Sequence, residues 1–147
     1  MINGKFSLIP AAYIILRKEG KVLLIRRANT GYLDGYYSLP SGHIDGHETA
    51  IQAAAREAKE EVGVTIQVKD LGFVHVIHRV AEEKDHERVD FFFEADTWEG
   101  EPTNCEPDKC DDLQWFFIDD LPVKTSPVVK QALHCVAEGK QYSDLGF

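Results

Sequence analysis

The stretch GHIDGHETAIQAAAREAKEEVGV, residues 42–64, decides how the rest of the chain is read. Within it Ile51, Ala54, Ala55, Ala58 and Val62 recur at helical spacing and predict one apolar stripe. Glu57, Glu60 and Glu61 stand at i, i+3 and i+4, so at about 100° per residue they share a second face. Like charges at that spacing oppose a helix by roughly 0.2–0.5 kcal/mol per pair. A hard divalent cation, Mg²⁺ or Mn²⁺, relieves the repulsion, because it takes oxygen ligands and keeps room for substrate phosphates. The plain alternative is a solvated acidic face. Ala50 and Ala53 fall near the acidic arc, where small side chains would leave space for a phosphate.

Taken with its spacing, the stretch narrows further. Gly42, Glu48, the run Arg56-Glu57-Ala58, the pair Glu60-Glu61 and the ending Gly63-Val64 together resemble the box of the Nudix hydrolases. Ala58 stands where a larger aliphatic residue is common, and Ser41 where many members carry a second glycine. The resemblance implies an α/β fold, the Nudix-type α/β/α sandwich with a mixed β-sheet. It also implies Mg²⁺- or Mn²⁺-dependent cleavage of a nucleoside diphosphate linked to a further group. Carried onto this chain, the metal ligands are the Gly42 carbonyl, Glu57, Glu60 and Glu61, while Glu57, Glu60 and Arg56 form the catalytic group. Which glutamate acts as general base stays open. Glu48 and Arg56 match the pair that braces loop against helix. Family members send one more acidic side chain to the metals from a later loop; Glu106 is the candidate here, with Asp112 in reserve.

Length and composition predict a single domain over residues 1–147. Apolar residues at 44% and charged ones at 28% are ordinary for a globular protein. A net charge of −9 argues against a nucleic-acid polymer as partner. It leaves room for a small nucleotide substrate whose phosphates meet a metal. Cys105, Cys110 and Cys135 form no CxxC and read as free thiols, which predicts a cytoplasmic setting. The absence of a long apolar run predicts neither a signal peptide nor a membrane span. A homodimer is left open.

Around the box, residues 11–16 (AAYIIL) form a continuous apolar run that reads as a buried strand. A tight Glu19-Gly20 turn links it to Lys21–Arg27, predicting a hairpin. Arg26 and Arg27 end that second strand and could fork onto phosphate. The glycine-rich loop that follows holds Tyr32, Tyr36 and Tyr37, any of which could stack on a base. The box helix is expected to start near residues 45–48. Further strands are expected at Gly72–Val80, 89–98 and 113–118, with the charged segment 81–88 as a mobile hairpin loop. A final helix is expected over 126–138, with Ser126-Pro127 as its start and Val129, Ala132, Leu133 and Val136 as its buried stripe. Arg26, Arg27, Tyr36 and His78 are the substrate-binding candidates.

The substrate itself is read only from resemblance. The proline that ADP-ribose-type members carry beyond the box is matched here by His78, and the tyrosine of dinucleoside-polyphosphate members by Val80 and Ala81. The small size and the EPDKC…W…LP pattern are similar to MutT-like nucleoside triphosphate pyrophosphohydrolases, which release a nucleoside monophosphate and pyrophosphate. Hydrolysis of another conjugate such as ADP-ribose or a nucleotide sugar, or a non-catalytic nucleotide-sensing module, are the alternatives.

Overall fold

The computed structural model describes residues 2–81 and 86–147; of the charged connection 81–88, residues 82–85 lie outside the described residues. The chain runs β1 (Leu8–Lys18), β2 (Lys21–Arg27), β3 (Tyr37–Ser38), β4 (Ser41–His43), α1 (Ala50–Val62), β5 (Gly72–Val80), β6 (Glu87–Ala95), β7 (Cys110–Phe117), α2 (Pro127–Ala137) and β8 (Tyr142–Leu145). Among the described residues the strands join in one sheet ordered β3-β2-β1-β6-β5-β8, with β4 added to β1 and β7 to β2. The β1–β6 and β5–β8 pairs are parallel and the others antiparallel, so the sheet is mixed.

The apolar run in β1 explains the layering. Ala11, Tyr13 and Ile15 point to one face and pack with Val129, Ala132 and Leu133 of α2. Ala12, Ile14 and Leu16 point to the other and pack with Ala53, Ala54, Ala58 and Val62 of α1. A strand covered on both faces has no polar alternation to show, which is why this run is continuous. The result is the α/β/α sandwich. The β1–β2 hairpin forms as expected, with Glu19 and Gly20 both at positive φ, as a two-residue primed turn requires. The two strands pair only at Arg17–Val22 and Lys18–Lys21 and then diverge. β1 turns to β4 and β6, and β2 to β3 and β7. The divergence splits the sheet at the place where the box is inserted.

Several boundaries differ from the sequence expectation. Helix α1 begins at Ala50, later than residues 45–48, because Thr49 caps it: Gln52 N–H donates to Thr49 Oγ1 and Thr49 N–H donates to Gln52 Oε1. This reciprocal capping box fixes the start, and Gly63 at φ 75 fixes the end. Ala53 is fully buried in the core and Ala50 packs beside it, so neither opens space for a phosphate. β7 starts at Cys110, ahead of residue 113, because Cys110 and Asp112 pair with Arg27 and Arg26. In α2 the buried residues include Val128, while Val136 is only partly covered. Strand β8 lies in a tail whose sequence shows no strand signal. It is held through His75, which is fully buried: Nδ1 donates to the Lys140 carbonyl at 2.7 Å, leaving Nε2 to accept from Ser143 Oγ at 2.8 Å.

Removing the capping oxygen tests the account of α1. Thr49→Ala should cost about 1 kcal/mol and lower the melting temperature by roughly 2–4 °C in thermal unfolding, with no change in cooperativity.

Candidate active site

Strand β4 and helix α1 approach so closely that position 42 has no room for a side chain. A Cβ added to Gly42 would lie 2.1 Å from Glu57 Oε1 and 2.2 Å from its Cδ. The register Ala12↔Gly42 fixes β4 on the edge of β1, and the packing of Ala54 and Ala58 fixes α1 above it. Glu57 is therefore held against the β4 backbone at 9% exposure.

Arg56 gathers the rest. Its Nε and Nη2 donate to Glu48 at 3.0 and 2.7 Å, and Nη2 also donates to the His43 carbonyl at 3.1 Å. Nη1 reaches Glu57 at 2.8 Å and Glu60 at 3.2 Å. One guanidinium thus ties the loop before α1 to two of the helix carboxylates, as the Glu48–Arg56 pairing implied. Hydrogen bonding to Glu48, with Glu57 and Glu60 adding to it, holds the Arg56 guanidinium well above its ordinary range.

Glu61 has a different environment. Its Oε2 accepts from the Ser41 N–H at 3.0 Å. Burial pushes its carboxyl up from 4.5 to about 8, opposed by that N–H and reinforced by Glu57 and Glu106. Burial likewise raises the Glu57 carboxyl, with Arg56 pulling against it.

Gly42, Glu57, Glu60 and Glu61, but not Arg56 or Glu48, line a cavity of about 580 Å³ that also takes in Arg27, Glu106 and Lys109, with Tyr13 from β1, Arg79 from β5 and Arg88 from β6. Glu106 is thus on the same cavity as the box glutamates. Asp112 is not: it accepts from the Tyr37 hydroxyl and from Gln114, and the Tyr37 bond holds its carboxyl below the usual range. Arg27 lines the cavity, its Nε on the Tyr32 carbonyl and its guanidinium 5.5 Å from the Tyr32 ring centroid.

Arg26, Tyr36 and His78 do not line it. Alternation along β2 sends Arg26 away, to Asp111 at 2.6 Å and over the Tyr37 ring. His78 bonds Glu87 at 2.7 Å and packs against Phe147. Its neighbour Arg79 faces the cavity instead. Sequence reasoning gave no role to Arg79, Arg88 or Tyr13; the period-two pattern of β5 and β6 was the signal that could have found the two arginines.

The donor set suits a hard divalent cation: four carboxylates and the Gly42 carbonyl, all oxygen, with one carboxyl held high by burial and like charge. Among the described residues, no three acidic, histidine or cysteine side chains converge tightly enough to ligate an ion as they stand. Arg56 draws Glu57 and Glu60 to itself.

Residues 8–136 match the model of the NUDIX domain, and the chain belongs to that family, a family of hydrolytic enzymes. It is 26% identical over 131 residues to "Phosphatase NudJ" of Escherichia coli (strain K12), covering 87% of this chain and 82% of the relative. A MutT NUDIX hydrolase from Burkholderia pseudomallei superposes with a TM-score of 0.80 at 27% identity, covering 87% of this chain and 97% of that one. A NUDIX hydrolase from Nitrosomonas europaea gives 0.77 at 22% identity, covering 92% and 93%.

The raised carboxyl of Glu61 makes stability depend on pH. The folded state holds that proton more tightly than the unfolded chain, so folding takes up a proton between about pH 4.5 and 8. Stability without divalent metal should accordingly fall as pH rises through that window. Glu61→Gln should flatten the fall, as read by melting temperature in chelator from pH 5 to pH 8.

Proposed function

We propose that this chain hydrolyses a phosphoanhydride bond of a nucleoside triphosphate, with Mg²⁺ or Mn²⁺ as cofactor, releasing a nucleoside monophosphate and pyrophosphate. The observation that carries the reading is the single cavity shared by Glu57, Glu60, Glu61 and Glu106 with Arg27 and Lys109. Acidic ligands and phosphate-binding cations line it together.

Glu57, Glu60, Glu61, Glu106 and the Gly42 carbonyl would hold the cation. When bound, it supplies charge neutralisation at the phosphoryl oxygens and a lowered pKa for water. Arg27 offers a fork of N–H donors to the phosphate chain, and Lys109 a second cation. Arg56 does not meet the phosphates in this reading; it holds Glu57 and Glu60 in place and keeps their charge tolerable. A carboxylate of this set, Glu57 or Glu60, accepts the proton of the attacking water. The water oxygen's electron pair forms the new bond to the nucleotide's α-phosphorus as the α,β-anhydride P–O bond breaks, and pyrophosphate leaves with that bond's electrons. The free thiols at Cys105, Cys110 and Cys135 agree with a cytoplasmic setting. No helix among the described residues is long and apolar enough to cross a membrane.

A second reading is favoured by the relative's printed name: a phosphatase would release orthophosphate from the chain end. A panel of nucleoside di- and triphosphates with Mg²⁺, assayed separately for pyrophosphate and orthophosphate, decides between the two. The first reading expects pyrophosphate from triphosphates, and orthophosphate alone would replace it with the second.

Two variants test the residues. Glu61→Gln should abolish turnover and blunt the rise in melting temperature that Mg²⁺ gives the wild type. Arg27→Ala should lower kcat/KM by about ten- to a hundredfold, alike for purine and pyrimidine triphosphates, as expected of a charge-assisted phosphate contact.

A further inference from the structure

The far wall of the cavity carries a buried ionic cluster that the hydrolytic step does not use. Asp90 is fully buried and Arg79 is 6% exposed. Arg79 Nε donates to Asp90 Oδ2 at 2.5 Å, while Arg88 Nε stands 3.8 Å from Asp90 Oδ1, too far for a hydrogen bond. Arg88 Nε and Asp90 Oδ1 are the two buried side-chain polar atoms without a hydrogen-bond partner among the described residues. Two arginines thus share one carboxylate. Both arginines line the cavity and Asp90 does not. The surface they offer to a ligand consists of N–H donors above a buried acceptor.

Its position sets it apart from the carboxylates. Across the sheet His43, Ala11 and Asp90 stand in register on β4, β1 and β6, and Arg88 on β6 pairs with Arg79 on β5. Arg88 and Arg79 thus enter the cavity from the second and third strands beyond β4, the strand whose Gly42 meets Glu57. Tyr32 and Arg79 also line a second cavity of about 290 Å³, otherwise bounded mainly by Val80, Ala81, Pro127, Val128 and Leu145. A flat apolar ring would fit there, beside the Tyr32 ring.

We propose that Arg79 and Arg88, held by Asp90, read the acceptor edge of the substrate's base, so that the enzyme prefers a 6-oxopurine to a 6-aminopurine. This rests on the reading of the chain as a nucleotide hydrolase. A 6-oxopurine presents two adjacent acceptors, O6 and N7, which match the paired N–H groups of a guanidinium. A 6-aminopurine replaces one acceptor with a donor and would leave an arginine N–H facing an amine. Asp90 is the positioning residue: it never meets the base but sets the angle of both guanidinium groups.

The test compares inosine and adenosine triphosphates, which differ at position 6 and in the N1 proton, on the wild type, Arg88→Met and Arg88→Lys, with Mg²⁺. Binding of inosine and adenosine monophosphates is measured in parallel. The wild type should favour the inosine nucleotide by about tenfold or more, the discrimination expected of one bidentate base contact. Arg88→Met should lose that preference through KM, with kcat and the adenosine values little changed, and Arg88→Lys should recover part of it. Equal losses on both nucleotides would make Arg88 a phosphate contact and overturn the proposal. A wild type without preference would overturn it before any variant is made. If the wild type turns over neither triphosphate, the hydrolase reading falls. The monophosphate binding then decides the subsite: a preference for inosine that Arg88→Met removes supports it, and equal binding overturns it.

Discussion

Everything at this site depends on the contact between the backbone at Gly42 and the carboxylate of Glu57. The sheet divides after the β1–β2 turn, β4 lies along the freed edge of β1, and α1 packs its alanines onto the same strand. Small residues at Ala53, Ala54 and Ala58 allow the helix to come down that far, and glycine at 42 lets the carboxylate occupy the space of a missing side chain. The apolar stripe and the acidic face of α1 are then one device. The first sets the height of the helix, and the second is delivered to the strand at that height. Glu57 is buried as a consequence, which explains why a single guanidinium must serve so many carboxylates.

Arg56 is that guanidinium. Its contacts with His43, Glu48, Glu57 and Glu60 join the loop before α1 to the second and third turns of the helix. Since the arginine stays charged and its hydrogen bond holds the Glu48 carboxyl below the usual range, the loop remains anchored wherever Glu48 is ionised. Among the described residues no guanidinium hydrogen-bonds Glu61; it leans on the Ser41 N–H and the more distant Arg27, so burial pushes its carboxyl up. The site thus separates two roles: Arg56 organises the acidic groups, and Glu61 is the one that the proposed divalent cation would relieve most.

Much of this was legible in the sequence because the box couples spacing to chemistry. The buried strand at residues 11–16, the hairpin and β5 at its observed limits follow from local pattern, and the brace between Glu48 and Arg56 follows from the resemblance of the box. What was hidden was hidden for physical reasons. The register of β2 gives Arg27 to the cavity and Arg26 to Asp111, and a pair of adjacent arginines does not announce which is which. The same alternation turns His78 outward and Arg79 inward. Asp112 looked like a loop acid, yet it belongs to a strand and holds Tyr37. β8 is polar and short, and its pairing relies on backbone groups and on His75, a residue far away in sequence.

The most direct measurement is the affinity for Mn²⁺, followed by electron paramagnetic resonance, in the wild type and in Gly42→Ala. The three atoms nearest the added methyl group all belong to the Glu57 carboxylate, the far end of a side chain, so it should displace that carboxylate while the cooperative unfolding transition persists. The account predicts that Mn²⁺ affinity falls by about tenfold or more, the scale seen when the support of a metal ligand is disturbed. Unchanged Mn²⁺ affinity in a folded Gly42→Ala protein would contradict it, because the approach of β4 to α1 would then have no part in building the site.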